Sequence, residues 1–151
     1  MKSESGRSLI EIVGVLAITA VMTASAIAIY NSIRRNQSNT IASAQLREIV
    51  KNTKLLMEMR DDYTGVSVEY LVKAGALAND KPPIGTSWSI DVGTEKNTFV
   101  INLMGLTSGE CEFFANAVPN WATEMFVNKY RFNGYSDCFS TGNNEISFVI
   151  E

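Results

Sequence analysis

Nineteen consecutive residues from Ile12 to Tyr30, IVGVLAITAVMTASAIAIY, carry no charge. At ~1.5 Å of rise per residue a helix of that length spans roughly 28 Å, about the thickness of a bilayer's hydrocarbon core. The core helix of a small globular domain has one apolar stripe and rarely such a run apolar on every side. The pattern therefore predicts a membrane-length helix. From Asn31 to Arg60 there is neither Gly nor Pro, so nothing stops it. Over that stretch Ile41/Ala42, Gln45/Leu46, Ile49/Val50, Thr53 and Leu56/Met57 return at three- and four-residue steps, the spacing of a single apolar stripe. One helix from about Leu9 to Arg60, on the order of 78 Å long, is expected. Half of it belongs in lipid and half against a globular head.

The remaining pattern is that of a small α+β head. Asp61-Asp62-Tyr63-Thr64-Gly65 turns the chain, Val66–Ala74 reads as a short helix, and Gly75 suits its C′ position. Residues 78–85, with Pro82-Pro83, form a loop. Ser87–Val92 and Thr98–Leu103 alternate as strands around the turn Gly93–Asn97, a hairpin. Thr107-Ser108-Gly109-Glu110 matches a capping box that opens a helix from Cys111 to about Val118, where Pro119 interrupts it. Trp121–Val127 reads as a further turn or helix, and Lys129–Phe132 and Ile146–Ile150 as strands. Strands and helices that do not alternate regularly predict an antiparallel sheet laid on the long helix. The chain then divides into 1–6, 7–30 (membrane half of the helix), 31–60 (amphipathic half) and 61–151 (head).

Composition narrows the chemistry. The 151 residues carry 13 Lys+Arg and 16 Asp+Glu, and no His. A net charge of −3 argues against nucleic-acid binding by phosphate neutralisation. Without His, His-dependent triads and His-ligated zinc sites are excluded, and two Cys cannot build a four-thiolate centre. The head's acidic residues, such as Asp91, Glu95, Glu110 and Glu112, match no catalytic or metal motif, so neither an enzyme nor a cofactor is expected. The oxygen-rich run Asp91–Asn97 is the candidate calcium loop. Trp88, Tyr130, Phe132 and Tyr135 read as core packing rather than a ligand surface. Cys111 and Cys138, an even count in a small exported domain, read as one disulfide. That pairing places the head outside the cytoplasm and the N-terminus inside. Lys2 and Arg7 before the apolar run, and Arg34 and Arg35 after it, give the positive-inside rule little to choose between.

Three readings compete for the apolar segment. Lys2 and Arg7 followed by Ala24-Ser25-Ala26 resemble a cleaved secretory signal, which makes the chain a secreted binding protein beginning near Ile27. A permanent single-pass anchor is the second. The third starts from Glu11, a carboxylate at the mouth of the run. Placing it in hydrocarbon costs about 2.5–3.5 kcal/mol or more, so it either sits at headgroup level or marks a partner.

Gly6 followed by Arg7-Ser8-Leu9-Ile10-Glu11 and the long apolar helix resembles the prepilin signature of type IV pilins and type II secretion pseudopilins. The resemblance implies cleavage between Gly6 and Arg7 by a prepilin peptidase, methylation of the new terminus at Arg7, and retention of the helix. Glu11 is then the fifth residue of the mature chain. It would pair with the terminal ammonium of a neighbouring subunit, a buried pair that specifies register more than it adds stability. Arg7 stands where that family usually has Phe, Met or another apolar residue, and its extra cation still favours Glu11.

Phe99–Thr107, running on to Glu110-Cys111, is similar to the segment before the first disulfide Cys of type IVb pilins. A membrane half without Pro fits type IVb as well, while a six-residue leader is more like type IVa. The implied function is a structural subunit of a type IV pilus-like filament, assembled as a homo-oligomer with the help of pilus machinery. The implied location is the bacterial inner membrane before assembly and the cell exterior afterwards. A minor pilin or pseudopilin is the alternative in the same family. Residues 31–60 carry a net +4 and residues 61–151 a net −7. That asymmetry fits either solvated faces or a basic surface meeting an acidic one on the next subunit.

Overall fold

The computed structural model describes residues 8–151 in full and gives Lys2–Arg7 as backbone only. The expected leader, the Gly6–Arg7 cleavage point and the methylated Arg7 therefore lie outside the fully described residues. The elements are α1 (Lys2–Met57), α2 (Val68–Lys73), β1 (Ser87–Val92), β2 (Phe99–Leu106), α3 (Ser108–Asn116), β3 (Glu124–Val127), β4 (Tyr130–Arg131) and β5 (Asn144–Ile150). This is the expected α+β arrangement of a long N-terminal helix, short helices and one antiparallel sheet. Two compact units are present, Met1–Ser38 and Asn39–Glu151. The division falls inside α1, where exposed side chains give way to a buried stripe at Asn39.

In the second unit that stripe is Ala42, Leu46, Ile49, Val50, Thr53 and Met57, all buried. It joins the inward residues of the sheet in one core: Ile90 of β1, Phe99, Ile101 and Leu103 of β2, Met125 and Val127 of β3, and Ile146, Phe148 and Ile150 of β5. Thr53 tolerates burial because its hydroxyl donates to the Ile49 carbonyl (2.7 Å). Ile41 and Gln45, paired with the stripe by spacing, face solvent. The helix ends at Met57 rather than Arg60, where the Arg60 N–H closes a tight turn on the Met57 carbonyl (2.8 Å). α2 is shorter than expected, with Ser67 at its N-cap rather than inside it, and has Gly75 at its C′ position as expected. Ser67 accepts from the Tyr70 N–H, and Gly75 at φ +78° closes a Schellman motif through Gly75 N–H to Val72 O and Ala76 N–H to Leu71 O.

Strand order is β1-β2-β5-β3-β4, every pair antiparallel. The β1–β2 hairpin is in the expected place, with Val92 opposite Phe99. β2, however, continues past Leu103 to Leu106. A bulge between Leu103 and Leu106 shifts the register from Leu103↔Ile146 to Leu106↔Asn144. Gly105 supplies the left-handed residue this needs (φ +70°), and a Cβ there would collide with Thr86. The bulge lets Leu103 and Leu106, three apart, both reach the core. The capping box then starts α3: the Glu110 N–H donates to Thr107 Oγ1 and the Thr107 N–H to Glu110 Oε2.

The expected turn or helix at Trp121–Val127 is corrected. Glu124–Val127 is strand β3, because Met125 and Val127 alternate inward and pair with the end of β5. A two-residue turn follows, Asn128 and Lys129 both at positive φ, the type I′ geometry whose twist suits a hairpin. β4 is consequently cut to Tyr130–Arg131.

Residues 132–143 form no regular element and are held by three ties. Cys111 and Cys138 are disulfide-bonded with Cα atoms 5.9 Å apart, as the cysteine count indicated. A loop of this size is worth roughly 3–4 kcal/mol by the chain-entropy estimate. Asn128 Nδ2 donates to the Asp137 carbonyl (2.7 Å). Asn144, fully buried, accepts from the Phe139 N–H (2.6 Å) and from Asn128 Nδ2 (2.9 Å), and donates to the carbonyls of Phe139 (3.1 Å) and Leu106 (3.4 Å). Asn144→Ala would strand several of these groups in the core, each at a cost of about 1–3 kcal/mol. The expected loss is roughly 2–4 kcal/mol in urea unfolding, with an unchanged far-UV spectrum of the native state. An Asn144→Ala chain as stable as the parent would show that the amide is not the tie.

Candidate functional site

In the first unit every described side chain from Ser8 to Ser38 is exposed. Leu9, Ile10, Val13, Leu16, Val21 and Met22 are all more than half accessible. An 18-residue window of this helix has mean hydropathy 2.4 with none of it buried in the chain. At about 1.5–3 kcal/mol for a fully buried aliphatic side chain, leaving a dozen of them in water costs on the order of 20–35 kcal/mol. That exceeds the net stability of a typical domain, about 5–15 kcal/mol. The surface is therefore made to be covered, by lipid or by protein.

Its polar groups are arranged accordingly. Thr19 Oγ1 donates to the Val15 carbonyl (2.7 Å), Thr23 Oγ1 to Thr19 O (2.8 Å) and Ser25 Oγ to Val21 O (2.9 Å). Each hydroxyl is satisfied within the helix, so none presents an unmet donor to an apolar neighbour. These back-bonds were not foreseen, although a Ser or Thr inside an apolar helix is the signal for them. One group resists this pattern. Glu11 is the sole Asp, Glu, Lys or Arg between Ser8 and Arg34, and among the described residues nothing pairs with it. Tyr30, Arg34 and Arg35 close the other end, the residue types that sit at a membrane interface.

The head offers no comparable chemistry. Among the described residues, no three His, Cys, Asp or Glu side chains gather to hold a metal ion. In the candidate calcium loop, Asp91 accepts from Ser89 Oγ (2.7 Å) and Asn102 Nδ2 (3.2 Å) on the outer face of the sheet. The acids are distributed: Glu110 caps α3, Glu112 accepts from Ser136 Oγ (2.6 Å), and Glu124 pairs with Arg131 (2.7 Å). Glu69 and Lys73, fully exposed, pair at 2.8 Å; the hydrogen bond and then the charge hold Glu69 below the ordinary carboxylate range and Lys73 above the ordinary amine. Of the four aromatics assigned to the core, Trp88 and Phe132 do pack against it. Tyr130 and Tyr135 do not, at 67% and 78% exposed, because the type I′ turn and the irregular 132–143 segment carry them outward.

No family model and no curated protein matches the chain. Solved structures do. The type IV pilin TcpA from Vibrio cholerae El Tor biotype superposes with a TM-score of 0.60 at 15% identity, over 76% of this chain and 99% of that one. The fold is that of a type IV pilin. A type IVb pilin from Salmonella typhi is also found, at TM-score 0.49 and 18% identity over 75% of this chain and 97% of its own. The pilin fold accounts for the long helix, the small antiparallel sheet and the disulfide together.

The two surfaces differ in what they need. A chain begun at Asn36, which keeps one helical turn ahead of the buried stripe, is expected to fold and stay in the aqueous phase. The whole chain should partition into detergent. Phase separation in a cloud-point detergent measures both, and a truncated chain that still enters the detergent phase would place the apolar surface elsewhere.

Proposed function

We propose that the chain is a structural subunit of a type IV pilus-like filament, the shared helix surface being its means of assembly. The observation that carries this reading is the exposed apolar helix with a single carboxylate, Glu11, that has no ion-pair partner among the described residues, on a protein of type IV pilin fold. Before assembly the helix anchors the subunit in the inner membrane with its N-terminus in the cytoplasm. Prepilin peptidase cuts between Gly6 and Arg7 and leaves the helix in the mature chain, with methylation of Arg7. Phe99–Thr107 leading into the capped α3 supports the type IVb side of the family.

Lipid is already as apolar as a bundle of such helices, so burial alone does not draw the subunit out of the membrane. Three other contributions are available: pairing of Glu11 with a neighbour's terminal ammonium, close helix approach through Ala17, Ala20, Ala24, Ala26 and Ala28, and the work of the assembly machinery. Removing one partner of a buried ion pair costs about 3–5 kcal/mol.

Glu11→Ala is therefore expected to be processed normally but to lower the yield of sheared filaments by roughly tenfold or more. Normal yield would refute the pairing role. Substituting Gly6 by Val should leave a precursor heavier than the mature chain by the six residues Met1–Gly6, read by intact mass. A mature N-terminus near Ile27 would instead identify a cleaved secretory signal and overturn the filament reading.

A further inference from the structure

We propose that a groove on the solvent side of α1, within the head unit, receives an acidic, aromatic knob from the head of a second copy of this chain. The inference rests on the filament reading and names one contact within it. The groove encloses about 620 Å³. Val50, Leu55, Tyr63 and Trp121 give it apolar walls, and Arg47, Lys51 and Lys54 line its rim beside Glu58. Leu55 is 56% exposed, an apolar side chain left uncovered in the isolated subunit.

The cations are spaced at 47, 51 and 54, one face of the helix, where like charges repel. Among the described residues none of the three is in an ion pair. Burial raises the Tyr63 pKa above the ordinary phenol value. A free subunit thus holds three unpaired positive charges around an apolar cleft. An occupant with carboxylates and aromatic rings would relieve both features at once.

The same chain presents such an occupant elsewhere on its surface. The Cys111–Cys138 bond ties α3 to the irregular segment, and Ser136 Oγ donates to Glu112 Oε1 at 2.6 Å. Glu112 and Asp137 are thereby held on one ridge, flanked by Tyr135 and Phe139 at 78% and 53% exposed. Its own neighbourhood supplies little compensating charge. After Lys96 the only cations are Lys129 and Arg131, and Arg131 is committed to Glu124. Because the disulfide and the Asn128 and Asn144 ties fix the ridge before contact, docking it costs little ordering entropy. Groove and ridge are different patches, so the contact is heterologous. Repeated from copy to copy without closing, it builds a helical array rather than a twofold dimer.

Zero-length carbodiimide coupling of the full chain, in sheared filaments or membranes from a mixed light- and heavy-isotope culture, tests this directly. It should join Lys51 or Lys54 of one copy to Glu112 or Asp137 of another. The pair Lys51→Glu and Lys54→Glu, both exposed, should abolish those links and lower filament yield by about tenfold in chains whose heads still melt cooperatively. Adding Glu112→Lys and Asp137→Lys in the same chain should restore most of the yield by reversing both surfaces. Interchain links confined to other carboxylates, or an unchanged yield in the Lys51→Glu/Lys54→Glu chain, would overturn the groove assignment. If copies are joined only through their N-terminal helices, the groove proposal falls and the filament reading stands. If copies never associate, both fall.

Discussion

An apolar surface that the subunit cannot cover by itself is the constraint on which everything else here depends. From Ser8 to Ser38 no described side chain of the helix is buried. Water is the one surrounding it cannot tolerate in bulk. Lipid and a bundle of identical helices are both acceptable, and they are nearly equal as apolar solvents. Under the filament reading proposed above, the near balance between the two lets the chain move from one to the other. Small directional terms can then decide the outcome, and a carboxylate at the entrance of the apolar run is such a term.

The head solves a different problem. Its core takes the last five turns of α1 as one layer and the inward face of a five-stranded sheet as the other. The sheet core is dense with Ile, Leu and Phe, but twelve residues before β5 contribute no regular backbone pairing. There the disulfide and two asparagine side chains take over the work that a ladder of hydrogen bonds does elsewhere. Asn144 and Asn128 accept and donate on both sides of the segment, which is why a buried amide at Asn144 leaves no orphaned group. A rigid irregular ridge results, with exposed aromatics at positions where a strand or helix would have turned them inward. The likeness to TcpA spans a share of the chain about the size of this second unit.

Much of this was legible from local pattern. The uncharged run, the stripe from Ala42 to Met57, the Thr107–Glu110 box, Gly75 and the hairpin at Gly93–Asn97 are each set by spacing or by one residue's backbone preference. β3 was not legible, because EMFV is too short to show a period and is a strand only by virtue of lying beside β5. The extension of β2 was hidden for a related reason: a bulge breaks the two-residue alternation by which a strand is recognised. Tyr130 and Tyr135 were assigned to the core on residue type alone, and residue type does not say which way a type I′ turn will point them.

The amino-acid sequence by itself determined the apolar helix, its lone acid, the class of the head and the one available cysteine pair, since each depends on composition or on neighbours a few positions apart. Tertiary structure alone decided the strand order, the central place of β5, the hub at Asn144 and the meeting of α1's basic face with Tyr63 and Trp121 in one groove. Those features join residues tens of positions apart, and no local preference specifies which distant segments will share a core.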